Sequence, residues 1–202
     1  RVTVIYENVD DWIKSGRLQR FYDDPPRWAY HFQTMAFNDR IDKTRDTFRA
    51  TKDDTDVYIL ERSIFTDVLF MRMLKDSGTI TDFEYHDYMK LWAKWSELMP
   101  FKPDLFVYLK PDLEEAMKRL RSRNRDGEAG VSSDYQTKLE VEHDKFLGGE
   151  TARIHDVLND VDYEVPVLRL TTNENFRDDD EVKTKVFTEV KDCIDGLAVE
   201  AC

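Results

Sequence analysis

Cysteine is scarce in this chain. Only Cys193 and Cys202 occur in 202 residues, with no CxxC spacing and no histidine placed to complete a metal site. Neither a disulfide framework nor a zinc site therefore organises the chain, and a reducing compartment is compatible with that usage. Positive charge is also in short supply: 30 Lys and Arg face 42 Asp and Glu, for a formal net charge of −12. A chain of that sign lacks the positive face that replaces counterions on a nucleic-acid polymer. No apolar run approaches the ~18 residues of a membrane span, and no signal-peptide pattern is present. Internal repeats and low-complexity linkers are absent as well.

What is present suits one α/β domain over residues 1–202. The hydrophobic class makes up 41% and the charged class 36%, with twelve Phe, nine Tyr and four Trp, a globular composition with an aromatic-rich core. One stretch organises the rest. Asp56-Val57-Tyr58-Ile59-Leu60 reads as a short buried strand running straight into Glu61, Arg62 and a helix that carries Asp67, and open α/β sheets bind ligands at the carboxyl ends of their strands. Taken alone, Glu61 and Arg62 have two readings, chemistry or a salt-bridged strand end on a solvated rim.

Val2–Tyr6 reads as an earlier strand ending at Glu7, followed by a short helix carrying Trp12, Ile13 and Leu18. Pro25-Pro26 then opens a helix of about six turns, because proline suits the first helical turn. On it Trp28, Phe32, Ala36 and Arg40 recur at i+4, and Gln33 shares a face with Arg40 seven residues on. Amphipathic helices follow to about Ser77-Gly78 and from about Asp82 to Leu98, the second carrying Tyr85, Tyr88, Leu91, Trp92 and Trp95 at core-like spacing. Phe101–Leu109 gives a third strand, and Pro111-Asp112 opens a helix ending in the basic run Lys118–Arg125. Arg119 and Arg123 are i,i+4 neighbours there and can offer two guanidinium forks to one polyanion, although a solvated face is equally open. A helix from about Ser133 to Leu147 is expected to extend toward Leu158. A strand Val165–Leu170 and a last helix, about Asp179–Leu197, close the chain. Strands alternating with helices predict a parallel sheet with helices on both faces.

The ordered set Glu7 with Trp12, Tyr22 eleven residues before Gln33, Glu61-Arg62-Ser63, the Arg-rich segment before Glu128, and Asn173-Glu174-Asn175-Phe176 resembles the deoxyribonucleoside kinases, the deoxycytidine and deoxyguanosine kinase group of the P-loop kinase fold. The likeness covers nearly the whole chain. It implies transfer of the γ-phosphate of ATP, with Mg2+, to the 5′-hydroxyl of a deoxynucleoside. Glu7 is then similar to the general base, Arg62 to the residue that holds that base and the 5′-oxygen, and Glu61 to the magnesium carboxylate. Gln33 resembles the residue gripping the nucleobase, with Trp12, Leu18 and Phe32 as apolar walls and Tyr22 with Glu128 on the sugar 3′-hydroxyl. Arg119, Arg123 and Arg125, in a lid over residues 118–130, resemble the arginines that neutralise the transferring phosphoryl group. Asn173, Glu174, Asn175 and Phe176, with Arg119 and Arg123, resemble the donor-nucleotide site. Ala36, Arg40 and Asp67 resemble the deoxycytidine kinase pattern, which implies deoxycytidine or purine deoxynucleosides ahead of thymidine.

The resemblance also implies a homodimer and an intracellular location, cytoplasmic ahead of mitochondrial, with small-molecule partners and neither membrane nor nucleic-acid polymer. The family's Gly-rich turn ending in Gly-Lys-Ser/Thr occurs nowhere in the chain, and only six residues precede Glu7, where the family places that turn about twenty residues earlier. The expectation is a truncated chain whose native form carries an additional amino-terminal central strand, phosphate loop and helix. A non-catalytic nucleoside-binding or structural subunit of the same fold is the alternative function.

Overall fold

The computed structural model describes residues 1–99, 102–123, 125, 128–156 and 160–200. By its internal contacts the chain forms two compact units, residues 1–100 with 124–132 and residues 101–123 with 133–202, where the sequence reading counts one domain. Both are α/β, and both contain parallel strand pairing. Among the described residues no helix is long and apolar enough to cross a membrane.

The first unit pairs β1 (Val2–Ile5) in parallel with β2 (Val57–Leu60), Val2 opposite Val57 and Ile5 opposite Leu60. Glu61 N–H donates to the Ile5 carbonyl at 2.9 Å and carries the ladder one step further. Around the pair lie α1 (Val9–Lys14), α2 (Arg17–Asp23), α3 (Pro25–Thr51), α4 (Ile64–Asp76) and α5 (Asp82–Leu98). Gly16, at φ 68°, supplies the left-handed residue that lets α1 turn directly into α2. The Thr81–Glu84 capping box starts α5: Glu84 N–H donates to Thr81 Oγ1 at 3.2 Å, and Thr81 N–H to Glu84 Oε2 at 2.8 Å. The core is aromatic, as composition suggests. Phe32 stacks on Phe21 and meets Trp12 edge-on, while Phe37 meets the fully buried Tyr88 edge-on.

In the second unit β5 (Val161–Thr171) lies between β3 (Phe106–Lys110), which it pairs in parallel, and β4 (Thr151–Asp156), which it pairs antiparallel. Its helices are α6 (Leu113–Arg123), α7 (Ser133–Leu147) and α8 (Asp180–Glu200), while a 3₁₀ turn over Glu128–Gly130 belongs to the first unit. One expectation is corrected: the helix does not continue from Leu147 toward Leu158. A Cβ on Gly148 would sit 2.3 Å from the Asp144 carbonyl oxygen, so only glycine fits where α7 stops. Beyond it Ala152 and Ile154 are buried while Thr151, Arg153 and His155 are exposed, the period-2 pattern of a half-buried strand. The β4–β5 pair is therefore a hairpin that adds antiparallel pairing to the expected parallel arrangement. Leu158, Phe101 and Cys202 lie outside the described residues, as do Asn124, Asp126 and Gly127 of the Arg-rich segment.

Candidate active site

The carboxyl ends of β1 and β2 open into a shallow cleft lined by β-strand ends, α1 and α3 and including Glu7, Trp12, Arg40, Lys43, Glu61 and Arg62. Five of the predicted residues meet in one network here. Arg40, on α3, donates from Nη1 to both carboxylate oxygens of Asp67 and from Nη2 to Glu7 Oε1. Arg62 Nε lies 3.7 Å from the same Glu7 oxygen. The Glu7 N–H donates to Glu61 Oε2 at 3.1 Å, tying the two strand ends together. Side-chain exposure is 8% for Arg40, 5% for Asp67 and 14% for Glu7, so these charges are held nearly out of water.

Burial pushes the Asp67 carboxyl up to about 6 against the pull of Arg40, and the neighbouring Glu7 charge adds to the rise. Arg40 loses hydration in the same place. Attraction from Asp67 and Glu7 outweighs that loss and leaves its pKa above the ordinary value. The Nε of Arg40 is buried without a partner among the described residues, as is the Tyr88 hydroxyl on α5. Burial first, then the Asp67 charge, raises the Tyr88 pKa well above its usual value.

Arg62 has φ 64°, in the left-handed region that side chains other than glycine rarely occupy. Two features hold this turn between β2 and α4. Thr66 Oγ1 accepts from Ser63 N–H at 3.2 Å and donates back to the Ser63 carbonyl at 2.9 Å, fixing the start of α4. The Arg62 guanidinium lies over the Phe70 ring, 4.7 Å from its centroid. Backbone strain of this kind gathers where a side chain has to be aimed.

Along α3 from Arg40 toward its amino end come Ala36 and Gln33, both buried, with Phe32 and Trp12 forming an aromatic wall and Leu18 buried beside it. Trp12 donates its indole N–H to Asp39 at 2.8 Å, which ties α1 to α3. Gln33 is 7% exposed and its amide makes no hydrogen bond among the described residues, so its donor and acceptor are open to a ligand. Tyr22 lies on α2, against which the 3₁₀ turn carrying the buried Glu128 packs. Arg125 Nη1 is 3.9 Å from Glu128 Oε1.

The other predicted residues belong to the second unit. Arg119 donates to Glu115 at 2.9 Å, to the carbonyl of Thr172, and to that of Glu174 at 3.0 Å, and its guanidinium lies 5.3 Å from the Phe176 ring centroid. Asn173 is clamped twice to Asp112: it accepts from the Asp112 N–H at 2.7 Å and donates to its carboxylate at 2.6 Å. Arg119 and the 173–176 loop are thus brought together as one assembly. Asn175 caps the following turn through the N–H groups of Arg177 and Asp178, each at 3.2 Å. Arg123 ends α6, exposed.

Glu61 is exposed at its strand end. Magnesium needs only one or two protein carboxylates, because it keeps several waters and takes substrate phosphates, so one carboxylate placed this way fits the ion. The sequence reading passed over Lys43, which had a legible signal, since it extends the Gln33–Ala36–Arg40 stripe by three residues. Tyr88, expected as core from its spacing, lies in the core.

Comparison with known proteins follows the same lines. The family described as Deoxynucleoside kinase matches residues 1–195. A probable deoxycytidine kinase of Fowlpox virus (strain NVSL) is 33% identical over 198 residues, covering 97% of this chain and 79% of that protein. Deoxycytidine kinase 2 of Gallus gallus is 32% identical over 191 residues, with 88% and 69% covered. A deoxyadenosine kinase of Dictyostelium discoideum is 28% identical over 165 residues, with 82% and 61% covered.

Proposed function

This chain belongs to the deoxynucleoside kinase family, phosphotransferases of P-loop kinase-like α/β fold, and we propose that it moves the γ-phosphate of ATP to the 5′-hydroxyl of deoxycytidine or a purine deoxynucleoside ahead of thymidine. The observation that carries this reading is the buried Glu7–Arg40–Asp67 network opening onto a cleft beside Arg62.

Glu7 is the general base. Its Oε1 is engaged by Arg40, and its other oxygen has no partner among the described residues, so one lone pair is available to the 5′-hydroxyl. As that proton passes to Glu7, the 5′-oxygen forms its bond to the γ-phosphorus, the bond from phosphorus to the β,γ-bridging oxygen breaks, and ADP leaves with that electron pair. Arg62 holds Glu7 and the attacking oxygen together. Positioning and charge stabilisation supply most of the acceleration in such transfers. Arg125 offsets charge on the transferring group; within the second unit, Arg119 and Arg123 with residues 173–176 are the candidate donor-nucleotide residues. Glu61 would hold a magnesium ion, which would supply charge neutralisation on the donor phosphates.

Base choice follows from the same stripe. The unpaired amide of Gln33 offers a donor and an acceptor to an amide-like base edge, Ala36 leaves room, and Asp67 with Arg40 favours an edge that carries an amino group. Two of the relatives described above are named for deoxycytidine and one for deoxyadenosine, which agrees with that choice. The reading includes a homodimer.

The test is radiolabelled transfer from ATP to a deoxynucleoside panel by the full-length protein, with Glu7→Gln as control. We expect turnover of deoxycytidine above thymidine, and a loss of roughly 10²–10⁴ in the control. Comparable thymidine turnover would overturn the base assignment. No transfer by a folded protein would favour a non-catalytic nucleoside-binding role.

A further inference from the structure

Lys43 lines the cleft with Glu7, Glu61 and Arg62, and none of the roles described above employs it. Its position on α3 is informative. Gln33, Ala36, Arg40 and Lys43 are separated by three, four and three residues, the spacing of a single helical stripe. The stripe begins with Gln33 and Ala36, passes through Arg40 where it touches both Asp67 and Glu7, and reaches Lys43 one turn later. At 1.5 Å per residue, Lys43 lies roughly 10 Å along the axis from Ala36. A nucleotide with its base at Gln33 and Ala36 and its 5′-oxygen at Glu7 would send its 5′-phosphate toward the Lys43 end.

The charges around it point the same way. Glu7 already faces two guanidinium groups, Arg40 in contact and Arg62 at 3.7 Å. Lys43 makes no ion pair or hydrogen bond among the described residues, and its side chain is only partly exposed. An ammonium that makes no ion pair of its own can take an incoming anion without breaking another contact. The reaction proposed for this site creates such an anion, since a neutral 5′-hydroxyl becomes a 5′-phosphate.

We propose that Lys43 forms a product-phosphate subsite: its ammonium binds the phosphoryl group once that group is on the 5′-oxygen, so the cleft distinguishes deoxynucleoside 5′-monophosphates from deoxynucleosides. This rests on the kinase reading of the cleft. Lysine suits the task as a compact, rotatable point charge that can follow a phosphate during transfer.

Isothermal titration of deoxycytidine and deoxycytidine 5′-monophosphate against wild type, Lys43→Met and Lys43→Arg tests it. For Lys43→Met we expect deoxycytidine 5′-monophosphate to bind about tenfold more weakly and to weaken equally as a product inhibitor, while deoxycytidine binds within about twofold of wild type. Lys43→Arg, which retains the charge, should restore most of the lost affinity. Unchanged monophosphate affinity in Lys43→Met, or equal weakening of both ligands, would overturn the subsite. Normal phosphorylation of deoxycytidine alongside that result would leave the kinase reading intact. A wild-type protein that neither binds nor phosphorylates deoxynucleosides would overturn the kinase reading itself.

Discussion

Replacing Arg40 by methionine isolates the energetic role of the charge network, because methionine keeps most of the aliphatic stem and removes the fork. Asp67 would then be a carboxylate at 5% side-chain exposure with its arginine gone, and Glu7 at 14% exposure would retain only Arg62, 3.7 Å away. Removing one partner of a buried pair typically costs ~3–5 kcal/mol, whereas removing both can be neutral. The single substitution therefore takes away about a fifth or more of an ordinary domain's ~5–15 kcal/mol. The double variant Arg40→Met/Asp67→Leu should recover most of that loss. Trp12, Trp28, Trp92 and Trp95 all lie in the first unit, so tryptophan fluorescence during urea denaturation follows the unit that contains the network. With a slope of about 2 kcal/mol per molar urea, the single variant's midpoint should fall by roughly 2 M. A shift worth less than about 1 kcal/mol, or a double variant as unstable as the sum of its parts, would refute the view that Arg40 and Asp67 act as a unit.

Two further outcomes follow from the same region. Asp67 is raised from 3.8 to about 6 in the folded protein, so its contribution to stability is complete below the unfolded value and is lost as pH rises through the folded one, a change of about 3 kcal/mol. The stability of Asp67→Asn relative to wild type should accordingly improve between pH 4 and 7 in urea melts, and a flat difference would count against the buried carboxyl. Tyr88→Phe deletes a hydroxyl that has no partner among the described residues, and the melting temperature should stay level or rise, by the equivalent of at most ~1 kcal/mol. A loss larger than that would reveal a partner for the hydroxyl.

Much of the site was legible because its residues stand at strand ends or share one helical face. Glu7 and Arg62 follow β-branched runs, and Gln33, Ala36 and Arg40 repeat at helical spacing. The contact between Arg40 and Glu7 was not legible. It joins residues 33 apart on different elements, and no local period encodes such a pair. Arg119 was legible only in part: five basic residues in eight drew attention to it, but no local period encodes its bonds to the carbonyls of Thr172 and Glu174 more than fifty residues away, which tie down the loop at residues 172–176. The hairpin at β4 was misread because six residues of moderate polarity carry too short a period to outweigh a preceding helix. Gly148-Gly149 was the available signal, since a helix rarely crosses two glycines without a reason.

The backbone at Arg62 sets a limit on redesign. Glycine and asparagine tolerate φ 64° best, but neither carries a cation long enough to lie over Phe70 and reach toward Glu7. Lysine could supply the charge without the planar fork, and a β-branched residue would strain the chain and supply no charge. Sequence space at position 62 is therefore bounded from two sides, by the torsion the turn demands and by the group the cleft demands. Someone reshaping this enzyme for a new nucleoside would do better to leave the elbow alone and vary the α3 stripe, where backbone geometry makes no such demand.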